Sequence, residues 1–324
     1  MSALKKFKVQ VDSIKSETED ILSYVLVDSE GSELPEFAAG AHIDLHLDNG
    51  LIRQYSLCGP TWERQSYLIG VLLEHPGTGG SQFLHNNVKV GDALEISEPK
   101  HLFKLNPNAQ RHLLIAGGIG VAPILAMAHT LEQSKADYVF HYCTKSPKET
   151  AFFDEVTGLV KQGGLHLHFD GGNPKNGLDL KATLRDYSEG THLYYCGPVG
   201  MMNAIADACS HWPNGTVHYE LFSTEGITST KTEHIGEDDE FQIRISSTDA
   251  VYSVPAYKTI VDVLRENGFD IDTSCEDGFC GTCLTRFLDG EPDHRDEILD
   301  DEDHEEFVLI CCSRSLTPEL VLDL

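Results

Sequence analysis

Between Ser274 and Cys283 the chain reads Ser-Cys-Glu-Asp-Gly-Phe-Cys-Gly-Thr-Cys. Cys275, Cys280 and Cys283 stand in the spacing C-x4-C-x2-C, and two candidates for a fourth position, Cys311 and Cys312, lie downstream in Ile310-Cys-Cys-Ser313. Four thiolates in that pattern are what a plant-type [2Fe–2S] cluster requires. Gly278 and Gly281 between the cysteines would let the loop fold tightly around such a core. Structural zinc is the competing reading, but it usually pairs two close cysteine knuckles. Here one knuckle would have a single distant partner. Adjacent residues on an extended segment point to opposite sides, so only one of Cys311 and Cys312 can face a cluster. The pattern alone does not choose between them.

A chain of 324 residues has material for two or three domains with real cores. No apolar run approaches the length that spans a bilayer. The opening Met-Ser-Ala-Leu-Lys-Lys-Phe-Lys-Val lacks the apolar stretch of a signal peptide and reads as the start of a strand, so a cytoplasmic protein is expected. Nine cysteines in this length do not make a disulfide scaffold, and a reducing compartment favours metal or redox roles for the clustered ones. A net charge of -28 argues against nucleic acid as a partner, because such a surface repels phosphate. The acid is uneven: from Asp239 to Leu324 there are about 22 acidic and about 6 basic residues, roughly -16 in the last quarter. That segment reads either as solvated, salt-adapted surface or as a docking face for a basic partner.

Three patterns divide the chain. Residues 1–103 are rich in short strands with glycine turns, which suggests an antiparallel β-barrel. His42 to Asp48 alternates, with Ile43, Leu45 and Leu47 on one face, and Asn49-Gly50 follows as a hairpin turn. Residues 104–226 change rhythm. A buried strand at His112–Ala116 leads through Gly117-Gly-Ile-Gly120 into a helix near 123–133, and further strands are expected at 138–142, 165–169, 192–195 and 217–220. Alternating strands and helices imply an α/β domain with a parallel sheet covered on both faces. Residues 227–239 are polar and read as a linker. Residues 240–324 carry the cysteine loop within strands near 241–245, 251–254, 284–288 and 320–324 and a helix near 259–267, an α+β domain.

Chemistry-bearing residues fall in each segment. Arg53-Gln-Tyr-Ser-Leu57 lies on a strand that suits a flavin: a guanidinium for phosphate, an aromatic for the ring, a hydroxyl near the reactive nitrogen. Gly79-Gly-Ser81 opens a helix whose amides and Ser81 hydroxyl would make an anion nest. Gly117, Gly118 and Gly120 let a dinucleotide pyrophosphate approach the backbone, and Cys196-Gly197-Pro198 is a second such turn in the same sheet. His166 and His168 read as solvent-facing, Cys209 as core, Cys58 as core or flavin neighbour, and Asp296 to Glu306 as an exposed acidic turn or helix.

These motifs together resemble the phthalate dioxygenase reductase-like family along essentially the whole chain, with vanillate O-demethylase and carnitine monooxygenase reductases as the branch most similar. The likeness rests on Arg53-Gln-Tyr-Ser56, Gly79-Gly-Ser81, Ala116 to Pro123, Tyr195 to Pro198, Asp293-His-Arg-Asp296 and the ending Ile310-Cys-Cys-Ser-Arg314 to Leu324. Departures are modest: Gln54 and Thr78 stand where members vary, and Val121-Ala122 where a Thr is common. The resemblance implies a flavin barrel, a nucleotide domain and a C-terminal plant-type ferredoxin of β-grasp form. It implies electrons moving from NADH through FMN and a [2Fe–2S] cluster to a separate Rieske-type oxygenase with a basic docking patch, the reductase alone being a monomer. By the same resemblance Arg53 and Ser81, with the Gly79-Gly80 loop, serve the FMN phosphate, Tyr55, Ser56, Leu57, Val71 and Phe222 the ring, and Gln54 counts among the cofactor-binding residues. Ser56 and Cys196 become the catalytic side chains, and the final cluster ligand, which precedes x-Ser-Arg in the family, becomes Cys311. Asp170 is expected to accept a ribose hydroxyl and repel a 2′-phosphate, favouring NADH. The sequence leaves open a haem monooxygenase or another acceptor, and a cluster that serves sensing.

Overall fold

The computed structural model describes residues 5–159, 164–223, 239–296 and 298–324. The expected linker at 227–239 lies outside the described residues except for Asp239. The chain divides into two compact units. The first is Lys6–Leu221, and the described part of the second comprises 239–324 with Lys5, Phe222 and Ser223.

The first unit opens with β1 (Lys6–Ser16), β2 (Ile21–Asp28), β3 (His42–His46), β4 (Ile52–Ser56), β5 (Ser66–Leu72), helix α1 (Gly80–Asn87) and β6 (Ala93–Ser97). The six strands run antiparallel in the order β4-β3-β6-β1-β2-β5. The edges of the sheet meet: Leu57, just past β4, bridges Ile69 of β5, and Cys58 donates its amide to Leu68. Alternation explains the core, since Ile43 and Leu45 of β3, Val9 and Val11 of β1 and Ile69 and Val71 of β5 are buried together.

The same unit continues with β7 (Arg111–Gly117), α2 (Val121–Ser134), β8 (Asp137–Thr144), α3 (Phe153–Leu159), β9 (Leu165–Phe169), α4 (Leu180–Leu184), β10 (Thr191–Cys196), α5 (Val199–Ala208) and β11 (Val217–Glu220). These five strands are all parallel, ordered β11-β10-β7-β8-β9. The order reverses between β7 and β10, where open α/β sheets bind ligands beyond their carboxyl ends. Helix α2 packs on β7, with Ile124, Leu125 and Ala128 buried beside Leu114, Ala116 and Phe140. Ile21, Ala39 and Cys58 of the antiparallel part belong to this same core. That shared packing is why 1–103 and 104–226 do not separate as compact units.

The second unit contains β12 (Phe241–Ile245), β13 (Val251–Val254), α6 (Ile260–Glu266), β14 (Leu284–Asp289), β15 (Pro292–Asp293), α7 (Asp301–His304), β16 (Phe307–Leu309), β17 (Arg314–Ser315) and β18 (Glu319–Leu322). Its main sheet is mixed, β13-β12-β18-β14-β16, with β12 and β18 parallel. Helix α6 starts at a capping box, Thr259 accepting from the Asp262 amide and Asp262 from the Thr259 amide. Arg314 is buried; it donates to the Lys258, Asp239 and Pro255 carbonyls and lies over the Phe241 ring. It thereby ties the chain just after the last cysteines to the start of the unit. Element positions agree with the sequence expectations to within two residues. No helix among the described residues is long and apolar enough to cross a membrane.

One contact tests the packing at the sheet's reversal point. A Cβ at Gly120 would overlap the backbone carbonyl of Cys196, which cannot move aside. Gly120→Ala should therefore destabilise the first unit by about 2 kcal/mol in urea unfolding. Gly158→Ala on α3, where a Cβ meets nothing, should be neutral or stabilising by up to ~1 kcal/mol.

Candidate functional site

Arg53 and the Gly79-Gly-Ser81 turn come together. The Arg53 guanidinium donates to the Thr78 hydroxyl at 2.8 Å and to its carbonyl at 3.2 Å. Its stem lies against Gly80, where a Cβ would stand 2.5 Å from Arg53 Cγ. Gly79 has φ +91° and starts α1. The Ser81 hydroxyl is buried and accepts from the Glu74 amide at 3.2 Å. A guanidinium beside a glycine turn and a helix start is a donor set that fits a phosphate. Tyr55 is largely buried, and Leu57 and Val71 fully.

Gln54 turns the other way. Its amide donates to Asp44 at 3.1 Å, and Asp44 in turn pairs with the buried Lys100 at 2.5 Å. In the β3–β4 register Gln54 faces Asp44 while Arg53 faces Leu45, so the two neighbours emerge on opposite faces. Its side chain is part of a buried ion-pair network rather than of the Arg53 turn.

Ser56, on the same face as Gln54, donates to Glu220 at 2.9 Å. Glu220 ends β11 in register with Cys196 at the end of β10. His42 lies 4.0 Å from the other Glu220 oxygen. Burial pushes the Glu220 carboxyl up to about 7, against the lowering effect of the Ser56 hydroxyl. Cys196 is fully buried, and burial first, then Glu220, hold its thiol well above the usual range, so it is a neutral thiol. Ser56 and Cys196, expected from the sequence, are thus joined by a carboxyl that the sequence reading passed over. The available signal was an acid on the inward step of a short edge strand at a sheet's carboxyl end.

The two glycine turns stand side by side. Gly197 packs against Gly117, where a Cβ on Gly197 would lie 3.1 Å from Gly117 Cα, and Pro198 and Met201 crowd Gly117. Gly118 differs: with φ +52° it faces open space, and its carbonyl accepts from the Tyr142 hydroxyl. Gly120 is therefore small because backbone meets backbone, Gly197 because Met201 and the Gly117 backbone close on it, and Gly117 because Met201 and Pro198 do; Gly118 is the one open to a ligand. Asp170 follows β9, its carboxylate capping the Gly172 amide at 2.6 Å. Lys145 is exposed and pairs with Glu149.

In the second unit the four cysteines of the spacing motif converge in pairs, Cys275 with Cys280 and Cys283 with Cys311. Within each pair one sulfur is pushed up and its partner down by their mutual hydrogen bond: Cys280 is lowered by Cys275, and Cys311 by Cys283 and then Cys312. Gly278 and Gly281 have positive φ, and the amide of Asp277 points at Cys275 Sγ. Convergent buried thiols ringed by amides are a donor set that fits an iron–sulfur core. Cys312 also hydrogen-bonds Cys311, and its sulfur lies 3.6 Å from the Leu309 carbonyl and against the Gly278 turn.

Some expectations fail. His168 is not solvent-facing: it meets His141 at 2.9 Å, and His166 stacks on the same ring. Neighbouring parallel strands place these three histidines on one face. Asp296 is fully buried rather than exposed, because turn amides and histidines enclose it. Cys209 is core as expected, and Cys58 takes the core reading of its two. Phe222 is exposed.

The buried carboxyl gives a pH signature. Between about pH 4.5 and 7 the folded protein keeps a proton on Glu220 that the unfolded chain has released, so this group's contribution to stability falls as pH rises through that window. Glu220→Gln removes the loss. Measured against wild type, the variant should gain on the order of 2–3 kcal/mol between pH 5 and pH 8. A stability difference flat across that range would mean the carboxyl is not buried as described.

Comparison with known proteins places the chain in a family. Residues 243–316 match the 2Fe-2S iron-sulfur cluster binding domain, and residues 97–213 match the N-terminal domain of dimethylamine monooxygenase subunit DmmA-like proteins. The tert-butanol monooxygenase / tert-amyl alcohol desaturase reductase subunit of Aquincola tertiaricarbonis is 45% identical over 94% of this chain and 92% of its own length. The solved phthalate dioxygenase reductase, described as a modular structure for electron transfer from pyridine nucleotides to [2Fe–2S], is 36% identical, with TM-score 0.70 and 98% of both chains covered. An intact type IV self-sufficient cytochrome P450 monooxygenase is 33% identical with TM-score 0.87, covering 98% of this chain and 41% of that one. The chain belongs to the phthalate dioxygenase reductase-like family of flavin- and [2Fe–2S]-dependent oxidoreductases.

Proposed function

We propose that the chain is the reductase component of a two-component Rieske-type oxygenase, drawing electrons from NADH through FMN and a [2Fe–2S] cluster to a separate oxygenase. The observation that carries this is the set of four convergent thiols, three of them buried, in a chain that also holds the Arg53–Gly80–Ser81 turn and the paired glycine turns of β7 and β10. Residues 1–103 form the flavin barrel, 104–226 the NAD domain and 240–324 a ferredoxin of β-grasp form. When bound, a flavin supplies the conversion of a two-electron hydride donor into single-electron transfers.

The chain's own residues hold the participants. Arg53 and Ser81 take the FMN phosphate, and Tyr55, Leu57 and Val71 line the ring. Ser56 is oriented by the buried Glu220 carboxyl and marks the reacting edge. Gly118 leaves the nicotinamide nucleotide room beside Cys196, whose neutral thiol adds no charge to that site. Asp170 would accept a ribose hydroxyl and repel a 2′-phosphate, which favours NADH, and Lys145 is paired to Glu149. Cys275, Cys280, Cys283 and Cys311 hold the cluster; Cys311 pairs directly with Cys283, whereas Cys312 reaches the group through Cys311, and the family's x-Ser-Arg ending also selects Cys311.

The oxygenase partner would present a basic patch to the acidic last quarter of the chain. A second reading, electron supply to a haem monooxygenase, is favoured by the likeness to the self-sufficient P450. Assaying both acceptor classes separates the two.

Substituting the last cysteines tests the assignment. Cys311→Ser should lose the visible absorbance of the cluster while its flavin is still bleached by NADH, and Cys312→Ser should keep both. Loss of cluster absorbance in Cys312→Ser alone would reverse the ligand assignment.

A further inference from the structure

The segment between β15 and β16 encloses a second group of metal-binding side chains. The Asp296 carboxylate is fully buried. One of its oxygens accepts from the Ile298 and Leu299 amides at 3.2 and 2.9 Å. The other faces two imidazoles, with His304 Nε2 at 3.2 Å and His294 Nδ1 at 3.8 Å. The two rings stack, their centroids 3.9 Å apart and their planes 28° from parallel. One nitrogen of each histidine and one carboxylate oxygen all lie within 4.8 Å of one another.

A structural role accounts for part of this. Asp296 caps a turn, and His304 donates to it. That leaves His294 Nδ1, which is buried and has no hydrogen-bond partner, and an unsatisfied buried nitrogen costs free energy. Two imidazoles held face to face beside one carboxylate also set a ring nitrogen of each on the side of the same carboxylate oxygen. A cation there would satisfy both rings and the carboxylate together.

We propose that His294, Asp296 and His304 bind one divalent transition-metal ion, with Zn2+ as the probe and a further position open to water. Two imidazoles and a carboxylate are a ligand set of the zinc and ferrous type, and no cysteine of the cluster motif takes part. The stacked rings must converge to reach bonds of about 2.0–2.1 Å. His304 is the ring free to turn, since it is about one-third exposed and sits on the four-residue helix α7. The same exposure provides an entry path. Asp301, Glu302 and Asp303 precede His304 on α7 and add negative charge to that stretch, which concentrates dications.

The ion would fasten two points of the chain, just after β15 and just before β16. It would also brace the cluster loop: a Cβ on Gly278 would stand 3.2 Å from Asp296 Cα. The site would thus lock the segment against which the cysteine loop packs.

Zinc content of the holoprotein tests this. Protein with intact flavin and cluster absorbance is dialysed against Zn2+, then against buffer, and its zinc and iron are counted. Wild type should retain one zinc more than His304→Gln, and calorimetric Zn2+ affinity at that site should fall at least tenfold in the variant. If His304→Gln loses its visible absorbance, His294→Gln carries the same comparison. Equal zinc in wild type and variant would overturn the proposal, as would zinc uptake matched by loss of iron.

Discussion

Gly120 lies so close to the Cys196 carbonyl that no side chain fits between β7 and β10 where those strands end. Gly197 stacks on Gly117 just beyond. This backbone-on-backbone contact sits where the strand order of the parallel sheet reverses, and it decides what can stand there. It places Cys196 at the lip of the sheet, and the β10–β11 register then sets Glu220 beside it. Glu220 in turn takes the Ser56 hydroxyl from the antiparallel sheet. Three elements far apart in sequence thus meet at one buried carboxyl. Because that carboxyl is out of water, its proton affinity rises into the neutral range, where small changes in surroundings alter its charge.

The second unit is organised around sulfur. Four thiols can converge only if the loop from Cys275 to Cys283 turns sharply and the chain near Cys311 is held still. Positive φ at Gly278 and Gly281 meets the first condition. Arg314 meets the second, since its guanidinium gathers three carbonyls from the start of the unit. A buried arginine that satisfies backbone acceptors costs less than one left unpaired, and it acts where the chain leaves the cluster loop.

Much of this was legible in the sequence because local rules governed it. Period-two alternation in β3, the glycine turn after β7, the cap at Thr259 and the C-x4-C-x2-C spacing each carry their meaning within a few residues. What escaped depends on pairing across strands. Glu220 is an unremarkable acid until the register sets it opposite Cys196 and against Ser56. Gln54 reads as part of a flavin motif until strand pairing turns its side chain to Asp44. His168 alternates like a surface residue, but β8 brings His141 beside it. Asp296, within an acidic run, looks solvated until turn amides and two histidines close over it. The choice between Cys311 and Cys312 needed the family's ending, because alternation states only that one of them faces inward.

The central claim is that one chain converts a hydride into single electrons through a flavin and a four-cysteine cluster. Anaerobic titration of the holoprotein with NADH, followed by visible absorbance and electron paramagnetic resonance, tests it most directly. A two-electron flavin and a one-electron cluster should together take up about three electrons, so bleaching should end near about 1.5 equivalents of NADH with a reduced-cluster signal. An end point at about one equivalent, with no cluster signal, would contradict the account.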